Sequence, residues 1–115
     1  MKICVIGAGR WGKNHIRTLN EMGVLKGVVD PSKEVLDELK QLYANVELID
    51  NIEEALKLNF DGFVIATPPK THIKIAKKII IKDKPVLIEK PLALSLKEAE
   101  ELEPYLKKSK SKLLV

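Results

Sequence analysis

Residues able to do chemistry gather in four short stretches of this chain. The first is Gly7-Ala8-Gly9-Arg10-Trp11-Gly12, directly after the apolar run Ile3-Cys4-Val5-Ile6. Glycines at the first, third and sixth positions of such a loop answer a physical need. Phosphate oxygens require backbone N–H donors at close range, and a Cβ would stand in the way. Gly7 permits the tight turn, Gly9 lets the backbone approach a pyrophosphate, and Gly12 lets the following helix pack close to its strand. The pyrophosphate would sit at the start of that helix, where unpaired N–H groups and the helix dipole favour an anion. The second stretch is the end of another apolar run, Asp30, whose carboxylate can accept hydrogen bonds from a ribose diol. Strand, glycine loop, helix and distant acid together predict a dinucleotide site built on Gly7, Gly9, Arg10, Trp11, Gly12 and Asp30.

The third and fourth stretches are Ala66-Thr67-Pro68-Pro69-Lys70-Thr71-His72 and Glu89-Lys90-Pro91. Each has a plain structural reading beside the functional one. Pro68-Pro69 can simply stop a strand and start a helix, since proline suits a first helical turn. His72 then reads as a first-turn helix residue and His15 as a packed helix histidine. Trp11 reads as a packing residue that borders the phosphate loop. Lys90 is harder to dismiss as a surface lysine, because it stands between Glu89 and Pro91 on a rigid turn after a buried strand.

The elements that must position these residues are legible as short apolar runs alternating with helical patterns, the mark of stacked βαβ units. Strands are expected over 2–6, 25–29, 46–49, 63–66 and 86–88, with 112–115 beginning a sixth. The first helix carries Trp11, His15, Ile16, Leu19 and Met22 on one side and ends near Gly23. The second buries Val35, Leu36, Leu39, Leu42 and Tyr43. Asp50-Asn51-Ile52-Glu53 reads as a helix cap with a capping acid, opening a short helix through Leu58. A helix over 71–81 buries Ile73, Ala76, Ile79 and Ile80. Ser95-Leu96-Lys97-Glu98 is a capping box with Ala99, Leu102 and Leu106 behind it, and Pro104 should kink or end that helix. The fold class is α/β, a doubly wound parallel sheet of strand order 3-2-1-4-5 with the start of a sixth strand. Residues 1–115 form one dinucleotide-binding domain. In such a sheet, ligands bind beyond the carboxyl ends of the strands, where the strand order reverses. All four stretches fall at strand ends, so one cleft should collect them.

Composition narrows the partners. The 115 residues are 45% hydrophobic and 31% charged, an ordinary globular balance. The net charge of +4 does not signal nucleic acid, because the lysines are spread along helices among glutamates and only Arg10 and Arg17 are arginines. Aromatics total 4%, too few to form a platform for stacking bases. The most apolar late stretch, 73–81, is interrupted by Lys74, Lys77 and Lys78, so no membrane partner is expected. The N-terminal apolar run reaches glycines and Arg10 too soon for a signal peptide. Cys4 is the only cysteine, which excludes an internal disulfide or cysteine metal site and fits a reducing cytoplasm. No metal is expected.

The same residues carry a family resemblance. The glycine loop with Arg10-Trp11-Gly12, then Ala66-Thr67-Pro68-Pro69 with His72, then Glu89-Lys90-Pro91-Leu92-Ala93, resemble the Gfo/Idh/MocA family of NAD(P)-dependent sugar and cyclitol oxidoreductases. The match runs in order along the whole chain, and Glu-Lys-Pro is its most specific element. Trp11-Gly12-Lys13-Asn14-His15 resembles a subgroup acting on nucleotide-linked sugars. The resemblance implies that Lys90 contacts the substrate hydroxyl and the nicotinamide ribose. It implies too that Glu89 helps hold the cofactor and that the Thr67, Pro68, Pro69 turn lies along it, with His72 beside it. It further implies a second, larger α/β domain bearing the catalytic histidine, an aspartate and most substrate contacts. That domain is not among these 115 residues, so the chain is either part of a longer protein or a stand-alone cofactor-binding module. The stop on Leu113-Leu114-Val115, inside an incipient strand, is unlike a natural end.

The expected reaction is hydride transfer between a sugar-ring carbinol and a nicotinamide. Lys90 is the candidate catalytic residue, as a charged donor to the developing alkoxide. Asp30 favours NAD by bonding the ribose 2′-OH and repelling a 2′-phosphate. Lys33 softens that repulsion, which leaves NADP as the alternative cofactor. A sugar-type substrate is expected only together with the second domain, and these residues alone should bind cofactor without turning over sugars. Apolar residues 113–115 at a sheet edge predict a homo-oligomer through self-association. Two other classes share the glycine loop and the acid: a nucleotide-sensing module without catalysis, and a methyltransferase using S-adenosylmethionine. Only the dehydrogenase reading gives Glu89-Lys90-Pro91 a role beyond a turn.

Overall fold

Six parallel strands form one sheet in the computed structural model, which describes all 115 residues. The strands are β1 (Ile3–Ile6), β2 (Leu25–Val29), β3 (Glu47–Ile49), β4 (Gly62–Ile65), β5 (Val86–Ile88) and β6 (Leu113–Leu114). Their order is β3-β2-β1-β4-β5-β6, the expected doubly wound Rossmann topology with its sixth strand in place. The helices are α1 (Arg10–Glu21), α2 (Lys33–Leu42), α3 (Ile52–Lys57), α4 (His72–Ile81), α5 (Leu96–Glu100) and α6 (Glu103–Lys107). A single 3-10 turn, Pro69–Thr71, leads into α4.

The strands are apolar on both faces because helices cover both faces, as a parallel sheet requires. Successive side chains point to opposite sides. Cys4, Ile6, Phe63 and Ile65 therefore face one cluster, with Ala55 of α3 and Ile73, Ala76, Ile79 and Ile80 of α4. Val5 and Val64 face the other, with Ile16 of α1 and Leu39 of α2. Thus α1 and α4 lie on opposite faces of the sheet. The register of β1 against β4 is unbroken from Ile3↔Gly62 to Ile6↔Ile65. That alignment brings the two strands' carboxyl ends level, at the point where the strand order reverses.

Three expectations need correction. The buried stripe of α1 is Gly12 and Ile16 with Leu19 packed beside them, whereas Trp11 and Met22 are exposed. Leu42 of α2 is likewise exposed. The helix after Ser95 is broken at Pro104 as expected, into two short helices with Pro104 in the first turn of the second. Proline has no N–H for an interior helical bond and is tolerated only where that donor would be unpaired anyway. The Ser95 cap is as expected, its Oγ accepting the Glu98 N–H at 3.2 Å. The cap of α3 falls one residue later than the Asp50–Glu53 pattern, with Asn51 Oδ1 accepting the Glu54 N–H at 2.9 Å.

Candidate functional site

The glycine loop closes the turn from β1 into α1. Gly7 has φ of +98°, which an L side chain adopts only under strain, and a Cβ there would lie 2.9 Å from the Ala66 carbonyl. A Cβ on Gly12 would come within 1.9 Å of the Gly7 carbonyl oxygen. Gly9 differs from both, because a Cβ there would meet nothing within 4 Å. The backbone at Gly9 thus borders open space, and that space is where a pyrophosphate would approach. Gly9 is also the N-cap of α1, and no side chain caps the helix. The first-turn N–H groups of a helix have no intrahelical partners and remain available to an anion.

Asp30 closes the next side. Its Oδ2 accepts the Ala8 N–H at 2.9 Å and its Oδ1 the Ser32 N–H at 2.9 Å. The carboxylate is therefore fixed between the glycine loop and the start of α2. A carboxylate offers about four acceptor sites, so about two remain for a diol. Beyond Asp30, the β2–β3 pairing brings Asp50, Asn51 and Ile52 to the same wall.

The turn after β4 forms the opposite side. Thr71 Oγ1 donates to the Pro68 carbonyl at 2.6 Å, which uses its one proton. Thr67 Oγ1 must then donate to Thr71 Oγ1, at 2.6 Å. This chain of hydroxyls holds the Thr67, Pro68, Pro69 turn closed. After β5, the Glu89 N–H continues the ladder to the Ile65 carbonyl at 2.9 Å, and the Lys90–Pro91 peptide bond is cis.

One cleft of about 790 Å³ collects these groups. It is lined by Gly7, Gly9, Arg10, Trp11, Asp30, Thr67, Pro68, Pro69, Glu89 and Lys90, ten of the residues singled out in the sequence. Trp11 stands 59% exposed at its edge, so it forms part of the wall and not of the core. Gly12 lies beneath the loop, its role being to let α1 approach.

His72 has another place than expected. It is 1% exposed and does not line the cleft. Its Nε2 faces the Thr67 carbonyl at 2.7 Å and its Nδ1 the Pro91 carbonyl at 2.8 Å. Both ring nitrogens are occupied by protein carbonyls, which leaves none for a cofactor. It links the turn after β4 to the turn after β5.

Sequence reasoning missed two sets of residues. His15 is not merely packed: its Nε2 contacts Glu89 Oε2 across the site. Asp50 and Asn51 were assigned only to capping, although the strand order 3-2-1 already implies that the end of β3 borders the acid after β2. For His15 no signal in the sequence was available, since its partner lies 74 residues away.

Comparison with known proteins agrees with this geometry. The family model of the Gfo/Idh/MocA oxidoreductases, with an NAD-binding Rossmann fold, matches residues 1–115. An inositol 2-dehydrogenase from Pseudarthrobacter chlorophenolicus is 34% identical over 110 residues, spanning 87% of this chain and 33% of that protein. A UDP-N-acetylglucosamine 3-dehydrogenase from Acidithiobacillus ferrooxidans is 32% identical over 107 residues, 89% of this chain and 32% of that one. The crystal structure of GenD2 from gentamicin A biosynthesis, in complex with NAD, superposes with a TM-score of 0.89 at 29% identity, covering 99% of this chain and 33% of that one. The chain thus spans about a third of the length of the relatives it matches. With its glycine loop, its acid after β2 and its sheet order, this chain belongs to the Gfo/Idh/MocA oxidoreductase family and is an NAD-binding Rossmann domain of it.

Proposed function

We propose that this chain is the cofactor-binding part of a dehydrogenase that oxidises a ring hydroxyl of a sugar, a cyclitol or a nucleotide-linked sugar, with NAD as its preferred cofactor. The observation that carries the reading is the convergence of four strand ends on one cleft, with Asp30 and the open backbone at Gly9 among its walls together with Glu89 and Lys90. The relatives named as inositol and UDP-N-acetylglucosamine dehydrogenases support the substrate class.

The bound nicotinamide would supply the hydride acceptor. The uncapped first turn of α1 and Gly9 hold the pyrophosphate, and the free acceptor sites of Asp30 hold the adenosine ribose. Glu89 and the Thr67, Pro68, Pro69 turn line the remainder. Lys90 donates a hydrogen bond to the substrate oxygen as it loses its proton, stabilising the developing negative charge. The base belongs to a second domain, outside residues 1–115. The proposal includes a cytoplasmic location, for which the lone buried Cys4 is the support. It includes self-association through the β6 edge, where Leu114 and Val115 are 64% and 53% exposed.

Calorimetric titration of the chain with NADH, NADPH and S-adenosylmethionine tests the reading. Binding of NADH, tighter than NADPH and without S-adenosylmethionine binding, is the expected result. Saturable binding of S-adenosylmethionine alone would overturn it.

A further inference from the structure

Lys90 is exposed on the wall of the cleft, and none of the chain's salt bridges involves it. A lysine side chain is a flexible four-carbon stem, so where its ammonium group can reach depends on how firmly its backbone is held. The residues on either side of Lys90 are each held by a histidine, Glu89 through its side chain and Pro91 through its backbone carbonyl. On one face of the sheet, His15 of α1 contacts the Glu89 carboxylate. On the other, buried His72 of α4 places its ring nitrogens 2.8 Å from the Pro91 carbonyl and 2.7 Å from the Thr67 carbonyl. The two helices belong to different apolar clusters on opposite faces of the sheet. The turn is therefore gripped from both faces at its first and third residues, with only the Lys90 side chain free.

We propose that His15 and His72 are positioning residues that fix the Glu89–Pro91 turn and so present Lys90 to the nicotinamide end of the cleft. The inference rests on the dinucleotide reading above and deepens it. The two histidines differ in their means. The His15 contact is half-buried and side chain to side chain, so it orients the Glu89 carboxylate. The His72 contacts are backbone-directed and shielded from water, so they fix the spacing between the cofactor wall at Thr67 and the lysine turn. A carbonyl can only accept, so whichever ring nitrogen carries the proton donates to the carbonyl it faces and holds the ring between the two turns.

The test separates the two ends of the cofactor. NADH and ADP share the adenosine and pyrophosphate groups, and only NADH carries the nicotinamide and its ribose. Both are titrated calorimetrically into the wild-type chain and into Lys90→Ala, His15→Leu and His72→Phe, each checked for folding by circular dichroism. Lys90→Ala should weaken NADH about tenfold, as expected for one lost hydrogen bond to a charged group. His15→Leu and His72→Phe should weaken NADH by about fivefold while leaving ADP unchanged. In the Lys90→Ala background the histidine substitutions should add no further loss, the non-additivity expected of groups acting through one another. His72→Gln replaces His72→Phe if the latter does not fold, and His15→Leu tests the half-buried contact independently. Equal losses for both ligands, or full losses that persist without Lys90, would overturn the positioning role while leaving the dinucleotide site intact. Absence of NADH binding by the wild type would overturn the dinucleotide reading, and this inference with it.

Discussion

Gly12 and Gly7 stand so close that a Cβ on Gly12 would fall 1.9 Å from the Gly7 carbonyl oxygen. This contact presses α1 against the turn that leaves β1, and it puts the start of the helix at the cleft. The clash is with backbone, so no side-chain rotation can relieve it. Gly12→Ala should destabilise the domain by about 3 kcal/mol or more, at the upper end of overpacking effects, and should lower cofactor affinity through the displaced loop. Urea unfolding with an unchanged midpoint would show that the loop yields more easily than its geometry indicates.

Gly9 sets the contrasting case. A side chain there meets no protein atom within 4 Å, and the backbone angles of −75° and −160° suit any residue. Gly9→Val should therefore keep the fold and its stability, while the isopropyl group occupies the space a pyrophosphate needs. NADH binding should fall below detection by calorimetry with the circular dichroism spectrum unchanged. Wild-type affinity in a folded Gly9→Val chain would remove the phosphate-loop reading.

The pair shows which parts of this molecule its sequence could reveal. The periods of two and 3.6 in the apolar residues announce strands and helices, and the glycine spacing announces the loop, because both are local patterns. The glycine loop between strand and helix points to the doubly wound sheet, whose strand order carries with it the convergence of strand ends. What was not legible depends on partners distant in sequence. His72 carries a cleft residue's neighbourhood in sequence, yet its ring turns inward to two carbonyls, one of them 19 residues on. His15 has a helical spacing that suits packing, yet its partner is Glu89. Trp11 was assigned to the buried side by its type, although Gly12 and Ile16 occupy that side. Type and period do not say which side of α1 meets the sheet when a glycine, with no side chain to count, makes the closest contact.

Asp30 joins both levels, since its position was legible and its bonding was not. Its two oxygens hold the Ala8 and Ser32 N–H groups, so Asp30→Ala removes a brace as well as a ribose acceptor. The substitution should weaken NADH by about tenfold or more, narrow the difference from NADPH, and cost about 1–3 kcal/mol in stability through the unpaired amides. Parallel titrations with both cofactors and urea unfolding of the variant check all three. A wild-type chain that prefers NADPH tenfold would sink the assignment of Asp30 to the 2′-hydroxyl.

Cys4 yields a prediction in pH. Burial in the centre of β1 pushes its thiol up from 9.0 to about 12. A raised value means that the folded state holds its proton after the unfolded state has released it. Below pH 9 both states are protonated and the thiol adds no pH dependence. Between pH 9 and about 12 the unfolded chain binds fewer protons, so stability must fall as pH rises. The slope approaches about 1.4 kcal/mol per pH unit, an order-of-magnitude limit for one group. Cys4→Ala lacks this term, although it starts less stable because of the space left by the sulfur. The stability advantage of the wild type over Cys4→Ala should therefore be constant from pH 7 to about 8.5 and shrink above pH 9. Urea unfolding of both proteins at each pH, under reducing conditions, measures the difference and cancels the titration of the lysines they share. A constant difference up to pH 10.5 would mean that the folded thiol ionises as readily as the unfolded one. Modification of Cys4 by a thiol reagent should likewise follow global unfolding, because no ionised thiol is presented by the folded sheet.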